Sequence, residues 1–524
     1  MVADAVVIGA GPNGLVAANH LADRGWKVVV CEEQPEPGGA VRSGEVTEPG
    51  FVHDLYSAFY PLTPASRHIA PLNLERYGVN WLSARGVVAH PHPDGRCALL
   101  SMDLDETCAS LDRFAPGDGE AWRRLFDLWR RAGPHLFGAL LTPLPPIRPA
   151  AGMLAALGPR GLAEFARFSL LPARRTADET FRGEGGGWLI AGNALHADLT
   201  PESSGGGMFG WLLCGLGQQH GFPVAEGGAG TITRALVRRL RERGGEVICE
   251  TPIERIEVRN RRARAALTAD GRRFEARRAI LADCDAPALF LKMLPPETVP
   301  ARIREDLRRY QYDNSTFKVN WALRGPIPWS AGDARRASTV HVAEGIDGLT
   351  EASTQLAARK IPDRPFLVVG QYSMVDASRA PQGAEAAWAY THVPQSPLAD
   401  AAGELSGDWA REEEAERFAD RMEAGIEQLA PGFRQSILKR HVQTPLYLQS
   451  HNRNLVGGAI NGGTAQLYQQ AIFRPFPSLG RPTTPVRGLY LASSAAHPGG
   501  GLHGGPGGNA ARTARWRHRL RLGR

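Results

Sequence analysis

Lysine is scarce in this chain: there are five, at positions 27, 292, 318, 360 and 439, so the net charge of +7 is carried almost wholly by arginine. That charge is diffuse. It suits anionic substrates or lipid headgroups, but it forms no basic stripe, and nucleic acid is not an expected partner. Cysteine is also rare. The six, at 31, 97, 108, 214, 249 and 284, include no Cys-x-x-Cys pair and no zinc-ligand spacing, so they read as reduced thiols and no metal site is expected. No apolar run reaches 18 residues, which excludes a spanning helix. The amino terminus carries no basic region or cleavage site ahead of its first strand, so it reads as fold, and the cytoplasm is the expected location. A chain of 524 residues, 43% hydrophobic and 22% charged, is long enough for two to four domains with a large core.

Glycine, by contrast, is plentiful and clustered at both ends. Val6-Val7-Ile8-Gly9-Ala10-Gly11-Pro12-Asn13-Gly14 reads as a buried strand, a tight turn and a helix start, with Gly9, Gly11 and Gly14 where side chains would hold the backbone away from a pyrophosphate. The N–H groups of the helix start favour an anion. Leu15, Ala18, Leu21 and Ala22 then fall on one helical face, and Gly25 ends the helix. The β-branched run Lys27 to Cys31 follows and ends at Glu32, placed to accept hydrogen bonds from an adenosine ribose. Gly38-Gly39-Ala40 lets the chain pass close to the same nucleotide again.

Further along, helical patterns occur at Glu120 to Arg131 and Gly161 to Leu171, with the apolar, proline-broken stretch Leu136 to Ile147 between them reading as a buried connection, or else as a segment that dips into one membrane surface. Gly50 to Tyr56 reads as a strand entering the interior, His90-Pro91-His92 as a surface turn, and the glycine clusters 183–187 and 205–210 as loops. A helix from Ile232 to Arg243 and strands from Glu246, Ile253, Arg264 and Arg278 repeat the strand and helix alternation of the first block, which makes the nucleotide domain discontinuous. A third block offers strands at Thr316 to Leu323, Phe366 to Tyr372 and Ala387 to His392, and a helix from Arg411 to Leu429. The expected division is 1–75, 225–300 and 450–524 for nucleotide binding, and 76–224 and 301–449 for the substrate.

Only one phosphate fingerprint follows a strand, so the redox group belongs to the molecule that fills it. That points to FAD, which stays bound and is reoxidised by oxygen or a quinone. Near the other end, Gly488 to Ser493 reads as a short buried strand, and Pro498-Gly499-Gly500-Gly501 leads to a helix starting near Asn509. A second glycine loop at a helix start suits the far end of a long cofactor.

These features resemble the phytoene desaturase-like flavoproteins, within the wider group that includes amine oxidases. They also resemble its branch called pyridine nucleotide-disulfide oxidoreductase domain-containing protein 2. The resemblance rests on both glycine-rich ends, Gly227-Gly228-Ala229-Gly230, Ala380-Pro381-Gln382-Gly383, Trp388 to Pro394, Asn454 to Gly458 and Arg474-Pro475, and so covers nearly the whole chain. It departs at Ala40, with arginine only at Arg42, at Ser493 in place of glycine, and at Leu502-His503 where relatives often read Val-Pro.

The resemblance implies an α/β fold. Its Rossmann-like FAD-binding domain is of the glutathione reductase/amine oxidase type, and its substrate domain is a mixed sheet with helices. The residues expected at FAD are Gly9, Gly11, Pro12, Asn13, Gly14, Glu32, Gly38, Gly39, Ala40, Ile253, Ser493, Pro498, Gly499, Gly500 and Gly501. The implied reaction passes a hydride from an apolar substrate, of isoprenoid or polyketide character, to flavin N5.

His503 and His497 flank the loop expected beside the ring and are the candidate proton acceptors, with His497 also able to fix the loop by hydrogen bonding. His53, Asp54, Tyr56 and His196 are further candidates. The rivals are an amine oxidase on the same scaffold and a non-catalytic carrier of the Rab GDP-dissociation inhibitor type. The tail Arg512 to Leu522 reads either as a solvated helix or as a contact with anionic lipid through Trp516 and its leucines.

Overall fold

In the computed structural model, which describes residues 1–478 and 480–522, the strand Val2–Ile8 lies at the centre of a seven-stranded sheet. It pairs in parallel with Val28–Cys31 on one side and Arg273–Ala282 on the other. Val28–Cys31 in turn pairs in parallel with Glu246–Ile248, and Arg273–Ala282 with the short strand Leu489–Leu491. The antiparallel strands Ile253–Arg259 and Arg262–Thr268 complete the far edge. The inner strands are apolar on both faces, and Ala5, Val7, Val28, Val30, Ile280 and Leu281 are fully buried, because helices and returning chain cover both sides.

Helix Pro12–Ala22 packs against Gly230–Glu242 and against the last helix, Gly505–Leu522. The crossing with the last helix is so close that a Cβ at Gly507 would stand 1.9 Å from the Asn13 carbonyl oxygen. Only glycine fits there. The two glycine-rich ends of the chain therefore meet at one place.

A second seven-stranded sheet runs in the order Ile437–Gln443, Ser315–Leu323, Glu385–Val393, Leu367–Gln371, Ala337–Val342, Gly86–Pro91, Cys97–Ser101. Its pairings are antiparallel except for Ala337–Val342 with Gly86–Pro91. Alternation gives its strands two different faces. Phe317, Val319, Trp321, Ala387 and Ala389 form an apolar core with Phe418, Met422 and Ile426 of helix Glu412–Leu429. The opposite face turns toward the helices Gly185–Leu195 and Gly206–His220 and toward residues 51–59.

Several expectations need correction. The clusters 183–187 and 205–210 are not loops: they open two buried helices, in which a Cβ at Gly210 would meet the Ile190 carbonyl oxygen at 2.1 Å. Close helix crossing selected glycine against its poor helix propensity. Leu136 to Leu140 continues the helix Asp118–Leu140, and Ile147 already begins the next, Ile147–Phe168, so the connection is shorter than expected. Of Gly50 to Tyr56, only His53–Asp54 is strand. His90 belongs to the strand Gly86–Pro91 and is fully buried, not part of a surface turn. The last helix begins at Gly505 instead of near Asn509, while the side chains of Arg521 and Leu522 and residues 523–524, which belong to the basic tail, lie outside the described residues.

Candidate active site

The turn Gly9–Gly14 is fixed from below by Asp283, at the end of the neighbouring strand. Its Oδ2 accepts the Gly14 N–H at 2.8 Å. A Cβ at Gly14 would stand 2.2 Å from the Gly9 carbonyl oxygen, and one at Gly11 would stand 2.7 Å from Asp283 Oδ2. The glycine spacing is thus a steric requirement of the turn itself. Burial pushes the Asp283 carboxyl up to about 7, the Gly14 hydrogen bond pulls it down, and the nearby Glu32 charge adds to the rise. Glu32 Oε2 accepts the Ala10 N–H at 2.6 Å, and the Glu32 backbone joins Ile248 and Thr251. Gly38 donates its N–H to the Ala10 carbonyl, which brings Gly38-Gly39-Ala40 back to the turn. Ile253 opens the edge strand two residues past Thr251.

At the carboxyl-terminal side, Ser493 begins a turn closed by the Ala496 N–H bonding the Ser493 carbonyl, and Pro498 to Gly501 follow. His503 engages both ring nitrogens inside this loop: Nδ1 accepts the Gly505 N–H at 3.0 Å and Nε2 donates to the Gly500 carbonyl at 3.0 Å. Burial pulls its pKa down to about 4, so the ring is neutral and holds the loop. This is the positioning role that the sequence analysis allowed for His497. His497 donates through Nε2 to the Thr142 carbonyl at 3.2 Å, and its buried Nδ1 has no partner among the described residues. Its pKa is also pulled down to about 4 by burial.

Arg474, quoted in the sequence only as part of the resemblance, is buried beside Gly499. Its guanidinium donates to the carbonyls of Asn461, Gly463, Thr464 and Ser494, and to no carboxylate among the described residues.

The residues present fit FAD. A glycine turn and a bare helix start stand at one end. Buried polar atoms without partners among the described residues stand on both sides of the meeting point: Asn13 Oδ1 at the turn, Asn461 Nδ2 and His497 Nδ1 by the second loop. A model of flavin-containing amine oxidoreductases matches residues 96–505, and one of NAD(P)-binding Rossmann-like domains matches residues 7–72. The chain belongs to the flavin-containing amine oxidoreductase family.

It is 28% identical to the rat (Rattus norvegicus) pyridine nucleotide-disulfide oxidoreductase domain-containing protein 2, over 97% of this chain and 92% of that one. It is 26% identical to a lycopene-forming phytoene desaturase of Pseudescherichia vulneris, over 95% and 96%. Its fold is similar to that of an oxidoreductase from Methanosarcina mazei, with a TM-score of 0.64 at 15% identity, covering 98% of this chain and all of the other. Within this family the chain is an FAD-dependent oxidoreductase acting on a small molecule. No helix among the described residues is long and apolar enough to cross a membrane.

The sequence analysis missed the inner face of the second sheet. The register sets Thr316 opposite His392, Lys318 between Tyr390 and Gln443, and Asn320 between Trp388 and His441. Lys318 is fully buried, and Nζ donates to the Asp54 backbone carbonyl at 2.7 Å and to Asn320 Oδ1 at 2.6 Å. Burial pulls its pKa down to about 7, Asp54 opposing and Arg379 reinforcing the drop. Asp54 itself pairs with the buried Arg379 at 2.7 Å, and Arg379 with Asp376 at 3.0 Å. Of the remaining candidates, His53 bonds Thr47 and is held neutral by burial, Tyr56 accepts from Arg42 at 2.8 Å, and His196 meets His341 at 2.8 Å, outside this row.

Proposed function

We propose that the protein dehydrogenates a substrate with a long apolar body laid on the inner face of the second sheet. Residues 1–75, 225–300 and 450–524 act as the FAD-binding part, and residues 76–224 and 301–449 as the substrate part. The turn Gly9–Gly14 with Glu32, Gly38, Gly39 and Ala40 holds the adenosine and phosphates. Ile253 supports the neighbouring edge, and Ser493 with Pro498 to Gly501 holds the ring end. FAD bound there supplies the two-electron acceptor at N5 and returns the electrons to oxygen or a quinone.

The observation that carries this reading is the inner face itself: buried polar groups at Thr316, Trp388, His392, His441 and Gln443 lack partners among the described residues. Around them, Phe59, Tyr372, Trp388 and Tyr390 form a packed aromatic wall. Such a mixture suits a substrate that is mostly apolar and oriented by a few polar contacts. His497 Nδ1 is the nitrogen of the two expected histidines left open to take the second proton, with water as its competitor.

Anaerobic mixing of the purified flavoprotein with a panel of isoprenoid alkenes and a panel of amines tests the reading. Bleaching of the visible flavin band by the alkenes supports it. Bleaching by amines alone, with peroxide released in air, overturns it. Peripheral lipid contact is supported by Trp516 and Leu520, 61% and 52% exposed among arginines of the last helix. Flotation on anionic liposomes that persists in a Trp516→Ala, Leu520→Ala variant would remove that role.

A further inference from the structure

Arg474 is a fully buried guanidinium whose hydrogen bonds all go to backbone carbonyls. Nε and Nη2 donate to that of Ser494, Nη1 to those of Gly463 and Thr464, and Nη2 also to those of Asn461 and Gly463. The acid of this neighbourhood, Asp313, is engaged elsewhere, its oxygens accepting the N–H groups of Ile460, Asn461 and Gly463. The bonds of Arg474 leave through the edge of the planar ion, and one of its faces is turned to the second glycine loop. A Cβ at Gly499 would stand 3.4, 3.5 and 3.6 Å from Cζ, Nε and Nη2, near-equal distances that set the loop flat against the ion. With φ at +113°, Gly499 has a conformation that favours glycine, so the chain crosses the cation with no side chain between. The charge is felt on both sides of that crossing. Burial lowers the pKa of His497 and of His503 first, backbone carbonyls oppose it, and the Arg474 charge adds to the drop at both rings, where no carboxylate offsets it.

Carbonyl acceptors satisfy the N–H groups of Arg474 without cancelling its unit charge, and in a dry interior that charge acts over several ångströms because no water screens it. Hydride transfer brings a flavin two electrons and one proton, so the ring gains one negative charge as it is reduced. Fixed charge favours a step most when it is aimed at the place where the opposite charge develops. We propose, building on the FAD reading above, that Arg474 is the counter-charge of the reduced flavin: across the Gly499 backbone its field stabilises the negative ring and raises the reduction potential of bound FAD. Arg474 is thus a positioning residue for charge, acting on the balance between oxidised and reduced cofactor. A raised potential suits the removal of hydride from an unactivated carbon, the reaction proposed above.

The test measures the two-electron midpoint potential of bound FAD by equilibration with a redox dye, and the affinity for sulfite, whose sulfur lone pair adds to flavin N5 and leaves the same negative charge on the ring. Wild type, Arg474→Gln, Arg474→Met and Arg474→Lys are compared with free FAD. The wild-type potential is expected above that of free FAD. The two neutral variants should fall by about 30 mV or more, a tenfold change in the reduction equilibrium, and bind sulfite about tenfold or more weakly, while Arg474→Lys stays close to wild type. The lysine variant loses most of the same carbonyl bonds, so a merely structural role would move all three variants alike. Equal potentials in wild type and the neutral variants, or a lysine variant that falls as far as they do, overturns the proposal. If neither neutral variant retains FAD, the wild type decides: a potential above that of free FAD supports the proposal, and one no higher overturns it. A chain that takes up no flavin defeats the FAD reading and this inference together, whereas one that holds FAD and bleaches with alkenes, but whose potential ignores Arg474, defeats this inference alone.

Discussion

Glu32 accepts the Ala10 N–H at 2.6 Å, so the end of the second strand is locked to the glycine turn through one carboxylate. The other oxygen takes the Gln34 N–H at 3.0 Å. Glu32 thus shapes the glycine turn, in addition to the ribose contact proposed for it. Glu32→Ala removes both contributions and is expected to weaken FAD retention about tenfold or more. The flavin-to-protein ratio after gel filtration measures this, and full occupancy in the variant would contradict the assignment. Glu32→Gln, which keeps one acceptor, should fall between the two.

Asp283 makes the same turn sensitive to pH. Held up to about 7 by burial, it is neutral below that pH and ionised above it. An ionised carboxylate under the turn opposes a pyrophosphate above it. FAD affinity should therefore decrease as pH rises through about 7, and Asp283→Asn should flatten the profile while tightening binding at alkaline pH. Fluorescence titration of the apoprotein with FAD gives both curves, and a wild-type affinity independent of pH would count against this role.

His503 holds the second loop through two hydrogen bonds inside it. His503→Ala should lower stability by about 1–3 kcal/mol and loosen the bound flavin. A variant with unchanged melting temperature but slowed flavin reduction would return His503 to the chemistry.

Acid should unfold the protein through its buried imidazoles. Burial holds His90, His196, His497 and His503 down to about 4, and His68 to about 3. In the unfolded chain these rings take up protons from about pH 6.5. Between that pH and about 4 the unfolded state binds more protons at these rings, so their contribution to stability is complete above 6.5 and falls as pH drops toward 4, outweighing the opposite contribution of Asp283, which takes up its proton in the folded state. Each ring contributes on the order of 3 kcal/mol to the loss. Urea titrations across this range should show it, and a flat profile from about pH 7 to 5 would refute it.

The amino-terminal unit was legible because local rules decide it: Gly9, Gly11 and Gly14 are required by contacts within a few residues, and Val28–Cys31 follows at a fixed interval. The strands Ser315–Leu323 and Glu385–Val393 were also visible from their β-branched and aromatic runs. The row formed by Lys318, Tyr390 and Gln443 was not, because it depends on the register between strands far apart in sequence. Helices Gly185–Leu195 and Gly206–His220 were missed for a related reason. Their glycines answer to partner helices that the local sequence does not reveal. His503 was legible as a residue of the loop but not in its bonding, since its partners are backbone groups of the loop itself.

The central claim is that one FAD lies where the two glycine-rich ends meet. Native mass spectrometry of the purified protein, followed by identification of the released cofactor, tests it most directly. The expected result is one FAD per chain, lost on replacing Gly507 with valine against Asn13. A chain carrying NADP, or one that takes up no flavin when incubated with excess FAD, would contradict the account.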